Sequence, residues 1–176
     1  MTDTIHGAGK LDPANLHTGS QLRALGGAEL ARLGEESLKD HLVNTAILAH
    51  QEHSPLSGER LLELLENRNL VRHPVKLVFE NGSMAPHQFA HPEIDGESFK
   101  LYVHPQLKHN AEMLAQAVAY FIPVMNYGSL INDDHCLVYG ATLLGMTIDD
   151  YYRALCQLAD SVGAPARDRS ANGDRF

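Results

Sequence analysis

The chain has 176 residues, with 22 acidic and 14 basic side chains and a formal net charge of −8 when histidine is neutral. This length is enough for one sizeable hydrophobic core and short for two. The acidic balance argues against a broad nucleic-acid surface and against binding to anionic membranes, because both need clustered Lys and Arg.

The N-terminal part of the chain is predicted to be a loose arm followed by three helices. Residues 1–19 show no hydrophobic periodicity, which is typical of a loose terminus. Weak apolar spacing predicts a helix over about 20–33 that stops at Gly34. Apolar residues four and three positions apart predict a second helix over 36–52, and clustered leucines predict a third over 58–68.

The hydrophobic period then changes to two, which is the pattern of β-strands. The predicted fold is α+β, with a three-stranded antiparallel meander whose strands cover about 75–80, 83–91 and 98–103. Asn81-Gly82 and Asp95-Gly96 predict the two turns. Prolines in the second segment mark it as irregular or as an edge strand. Helices from both ends of the chain are expected to pack on the apolar face of the sheet.

The remaining chain is predicted to be helical, followed by a disordered tail. Apolar spacing predicts one helix that Pro123 kinks or ends, and then helices over about 133–144 and 148–162. The sequence therefore predicts a single domain over 20–163. The polar residues 164–176 are predicted to be a disordered tail.

Five of the eleven histidines lie between His73 and His109, within the predicted strands and their borders. In a strand, His87 and His91 would be ~13 Å apart, too far to share an ion. If the Asp-Gly step centres the second turn, His87 instead faces His104 on the neighbouring strand. Their Cβ atoms would then be ~5 Å apart, close enough for two imidazoles to bind one ion.

The histidines therefore predict a divalent-metal site, for Zn²⁺ or Fe²⁺, on the polar face of the meander. Such a site would be compatible with a metal-dependent enzyme. The competing interpretation is a solvated face that is rich in histidine, which Lys76 and Lys100 favour because a cation repels a metal. The predicted ligands are His87, His104, His91, His109 and Glu112.

Residues 141–147, followed by residues 151–155, resemble a bacterial helix-turn-helix over about 20 residues, with a small residue and then a glycine four positions later. The resemblance implies a DNA-binding regulator. Asp149 and Asp150 would open the recognition helix, where carboxylates repel phosphate. We therefore predict a helical hairpin that packs for structural reasons.

Cys136 and Cys156 belong to no CxxC motif and are predicted to be small buried hydrophobic residues in helices. A nucleophilic Cys136 is disfavoured, because Asp133 and Asp134 beside it would raise the pKa of its thiol.

Three functions stay open from the sequence: a metal-binding protein, a non-catalytic interaction or accessory domain, and a helix-turn-helix regulator. No apolar run is long enough to span a membrane and no secretory signal is visible, so a cytoplasmic protein is expected. A homodimer is expected from the general frequency of twofold dimers.

We expect the chain to show no salt-sensitive affinity for duplex DNA near physiological ionic strength, because its net charge of −8 opposes counterion release from phosphate. Fluorescence anisotropy of a labelled duplex, measured at several salt concentrations, tests this. Submicromolar binding that weakens steeply with added salt would contradict it and favour the regulator.

Overall fold

The computed structural model describes residues 26–82 and 84–163. Within this part of the chain, five α-helices and three strands form the fold, with short 3-10 helices before and after the third α-helix. In chain order the elements are α1 (Gly27–His53), α2 (Gly58–Glu66), β1 (Val75–Phe79), β2 (Ala90–Asp95), β3 (Ser98–Val103), the 3-10 helix Pro105–His109, α3 (Ala111–Tyr127), the 3-10 helix Gly128–Leu130, α4 (Asp133–Leu144) and α5 (Ile148–Gly163).

The backbone contacts divide the chain into two units, Met1–His41 and Leu42–Phe176. The described part of the first unit is the N-terminal portion of α1. This helix continues through Gly34, so the predicted break there is wrong. An exposed glycine costs a helix only about 1 kcal/mol, which the rest of a long helix can offset.

Everything else described belongs to the second unit. The predicted single domain over 20–163 stays a prediction. The predicted arm at 1–19 and the predicted tail at 164–176 lie outside the described residues.

The α+β class is confirmed, but the antiparallel meander is wrong. The strand order is β1-β3-β2, in which β3 pairs in parallel with β1 and antiparallel with β2. The second strand was predicted over 83–91 but covers Ala90–Asp95. The residues before it form turns instead, with hydrogen bonds from Met84 N to Asn81 O and from Gln88 N to Ala85 O. Residues 80–82 and 84–89 therefore form a connection and not a hairpin strand.

The predicted apolar face of the sheet is confirmed by the pairing. Leu77 lies beside Leu101 and Phe79 beside Val103 in the parallel pair. Leu101 and Val103 are fully buried, as expected for a central strand. As predicted, β2 is an edge strand, a position that tolerates proline because an outward-facing N–H is not needed there.

Helix α3 lies at the centre of the second unit and is buried along most of its length. It continues past Pro123 to Tyr127, so the proline does not end it. Near its C-terminus the buried Asn126 side chain accepts a hydrogen bond from Arg72 N (3.0 Å) and donates one to Leu70 O (2.8 Å). These bonds fix the segment that leads into β1. Among the described helices, none is both long and apolar enough to cross a membrane.

Helices α4 and α5 form the predicted hairpin around Gly145, whose left-handed conformation ends α4. The fully buried Tyr151 of α5 lies against Gly140 of α4, where any Cβ would overlap the tyrosine ring. The Tyr151 hydroxyl donates a 2.8 Å hydrogen bond to Gln116 O of α3. Three helices therefore meet at one side chain.

We expect Gly140→Ala to reduce the free energy of unfolding by roughly 1–3 kcal/mol, because the added methyl group overpacks the contact with Tyr151. Gly34→Ala is the matched control: it lies within α1 with nothing near its Cβ position, and a stabilisation of about 0.5–1 kcal/mol is expected. Urea unfolding of both variants measures the effects. A Gly140→Ala variant as stable as wild type would contradict the close packing.

Candidate functional site

The predicted metal centre is wrong. Among residues 26–82 and 84–163, no group of three or more His, Cys, Asp or Glu side chains is arranged to hold a metal ion. The reason is that only His87 and His104 border the same cavity, whereas His91, His109 and Glu112 lie on separate elements.

His87 does not lie on a strand. It sits in a turn before β2 with a φ of 65°, so the predicted pairing across neighbouring strands is wrong. The true register is shifted by two residues, and His91 pairs with Tyr102. The imidazole of His87 reaches α5, where its Nδ1–H donates to Ala159 O at 3.3 Å. Its ring occupies the space that a Cβ on Gly163 would need.

His104 serves as the N-cap of the 3-10 helix that follows β3. Its Nδ1 accepts a 3.4 Å hydrogen bond from Gln106 N, and its Nε2 lies 3.5 Å from the amide nitrogen of Asn81. Burial lowers the pKa of the His104 imidazole. Together with His87 it borders a small cavity of about 230 Å³.

The other predicted ligands lie elsewhere. His91 is half-buried on β2, and His109 is the exposed last residue of the 3-10 helix. Glu112, in the first turn of α3, borders a different cleft beside Ser57. The structure thus brings together only His87 and His104 from the predicted set.

The polar face of the sheet carries an ion pair instead. Lys100 lies 3.0 Å from the Asp95 carboxylate, and this hydrogen bond, followed by the charge of Asp95, raises the pKa of the lysine. Lys76 pairs directly with Lys100 in the parallel register. This arrangement supports the competing interpretation of a solvated face.

A different site emerges between the edge of the sheet and the last three helices. Here the segment before β2 and helices α3, α4 and α5 line an open cavity of about 390 Å³, which we call the aromatic pocket. Its described lining is Gln88, Phe89, Ala90, Tyr120, Phe121, Asp133, Leu137, Tyr152, Leu155, Cys156 and Ala159.

Aromatic rings dominate the walls of the pocket. Tyr120 and Phe121 have ring centroids 5.2 Å apart, and Phe89 lies 6.3 and 6.0 Å from them. The interplanar angles of 58–80° are edge-on or tilted, the geometry that aromatic quadrupoles favour. Tyr152, 59% exposed, lies at the rim.

Two pairs of polar groups border the same cavity. The Tyr120 hydroxyl donates a 2.8 Å hydrogen bond to Asp133 Oδ1 at the start of α4. Burial, and then this bond, raise the pKa of the Tyr120 phenol. One turn apart on α5, Tyr152 and Cys156 share a hydrogen bond that raises the pKa of the Tyr152 phenol. Both phenols are therefore neutral near physiological pH.

The sequence alone does not predict the aromatic pocket. The adjacent Tyr120 and Phe121 were a usable signal, since two large rings side by side on a helix cannot both face the same core. Phe89 could not be assigned to the pocket, because the sequence predicts it within a strand over 83–91, whereas β2 begins at Ala90 and its register differs by two residues.

No family model matches the chain, and no curated protein or solved structure matches it either. The function must therefore be argued from the pocket itself. The homodimer and the cytoplasmic location stay predictions.

We expect N-ethylmaleimide to modify Cys156 well before Cys136. Cys136 is buried, as predicted, but Cys156 is exposed, so the prediction that Cys156 is buried is wrong. Burial, and then the charge of Asp133, raise the pKa of the Cys136 thiol to about 12. At about pH 8, roughly one molecule in ten thousand would then carry that thiolate. Mass spectrometry after timed exposure measures both sites, and equal rates would contradict this expectation.

Proposed function

We propose that the protein binds a small organic molecule in the aromatic pocket. The observation that carries this proposal is the combination of a concave cavity of about 390 Å³ with four aromatic side chains and a few polar groups at its border. Small-molecule sites have this character: cavities of ~300–1,000 Å³ with apolar and aromatic walls and few polar groups that orient the ligand.

Two larger clefts support a ligand less well. A cleft of about 700 Å³ borders Arg72 and Phe99, and one of about 500 Å³ borders Glu112. Neither assembles several aromatic rings among its described lining residues. Aromatic side chains supply most of the contact area in such sites. The aromatic pocket is therefore the better candidate ligand site because of the residues that line it, although its volume is smaller.

The lining supports binding and not covalent catalysis. Cys156 is the only thiol among the described lining residues, and no histidine or lysine stands among them to activate it as a nucleophile. The two phenols are neutral, so neither is a general base near physiological pH. A non-catalytic binding domain is the function that these groups favour.

Benzyl alcohol, a neutral aromatic probe, tests the proposal. We expect it to shift the amide NMR signals of residues around Phe89, Tyr120 and Leu137 in a saturable way, and to slow the alkylation of Cys156. Signals around Glu112 should not move.

A pocket-filling variant provides the control. Ala159→Trp places an indole in the pocket and should abolish the shifts, whereas Gln157→Trp, exposed on the same helix and outside the lining, should leave them unchanged. If benzyl alcohol produces no saturable shifts in wild type, or binds equally to both variants, the proposal fails. The protection of Cys156 in wild type decides the matter if Ala159→Trp does not fold.

A further inference from the structure

We propose that the ligand of the aromatic pocket is an organic cation, an ammonium group on an aromatic or branched alkyl body, with the Asp133 carboxylate as its counter-ion. This inference rests on the proposed function, since it names the ligand class of the same pocket. It follows from the charge of the lining, the nature of its rings and the location of the carboxylate.

Asp133 is the only charged side chain among the described residues that line the pocket. The bond from the Tyr120 hydroxyl reaches Oδ1 and fixes the carboxylate at the border of the cavity. A carboxylate has two acceptor oxygens, so it can bind a cation while retaining this hydrogen bond. An anionic ligand would be repelled at the same position, and a neutral ligand could gain only a hydrogen bond to the carboxylate and no attraction between opposite charges.

The rings strengthen the preference for a cation. Phe89, Tyr120, Phe121 and Tyr152 border the cavity, so a bound ligand lies among four aromatic side chains. The face of an aromatic ring carries a negative electrostatic potential and attracts alkylammonium groups. A cavity lined by four such rings and a single carboxylate favours a bulky, weakly hydrated ammonium over a metal ion, which needs several hard ligands.

The pocket is also apolar enough for the body of such a ligand. Leu137, Leu155 and Ala159 complete its walls. Burial of an apolar body there contributes about 25 cal/mol per Å² in the same way for charged and neutral ligands. The difference between a cation and its neutral analogue of equal shape therefore isolates the electrostatic contribution.

The experiment compares three probes on the wild-type chain by amide NMR titration. Benzyltrimethylammonium carries the charge, neopentylbenzene has the same shape without it, and phenylacetate is an aromatic anion. We expect the cation to bind roughly 5- to 30-fold more tightly than the neutral analogue. Phenylacetate should bind most weakly, and added salt should weaken only the binding of the cation markedly.

Two matched substitutions identify the counter-ion. Asp133→Asn should remove most of the preference for the cation while changing the affinity for neopentylbenzene less than about twofold. Asp134→Asn makes the same change of charge one residue further along α4, on an exposed side chain outside the lining, and should leave the preference intact.

Each outcome is decisive. If the cation and its neutral analogue bind equally to wild type, or if Asp134→Asn acts like Asp133→Asn, the inference fails while the proposed binding function stands. If no probe binds, including benzyl alcohol, the proposed function itself fails. The comparison of probes on wild type decides the question of charge even if Asp133→Asn does not fold.

Discussion

The contact between Tyr151 and Gly140 couples the three helices on which the aromatic pocket is built. The tyrosine ring lies against the backbone of α4, and its hydroxyl bonds to Gln116 O of α3, so a single buried side chain of α5 ties both neighbours. Leu155, one turn further along α5, belongs to the same buried cluster, against which Phe89, Tyr120 and Leu137 pack. The walls of the pocket are thus an extension of the core and are fixed by the same packing.

The segment before β2 forms the remaining wall of the aromatic pocket, and His87 holds it in place. His87 bonds to Ala159 O and its ring covers Gly163, which joins the connection before β2 to the end of α5. Gln88 and Phe89 follow directly, and His104 N bonds to Phe89 O from the end of β3. The backbone at Phe89 is therefore held from both the helical side and the sheet side.

Several histidines of the second unit have structural roles, among them His87, which the sequence predicted to be a metal ligand. Like His87, His50 donates from Nδ1 to a carbonyl of another helix; its acceptor is Leu143 O in the last turn of α4, at 2.9 Å, and its ring approaches Gly145. Carbonyl groups at helix C-termini lack partners within the helix, and an imidazole N–H satisfies one of them. His135 instead completes the capping box at the start of α4 with Asn132. His50, His87 and His135 are thus engaged by hydrogen bonds within the protein.

The sequence by itself determined the local elements, because their signals lie among neighbouring residues. The predicted helix over 133–144 and the predicted strand over 98–103 match α4 and β3, and the apolar face of the sheet was predicted correctly. Only the tertiary structure decided the strand order and the pocket. Turns within residues 80–89 replace the expected hairpin, and the pairing of β2 shifts by two residues. Such long-range choices depend on which faces are buried together, and hydrophobic periodicity along one strand cannot specify its partner.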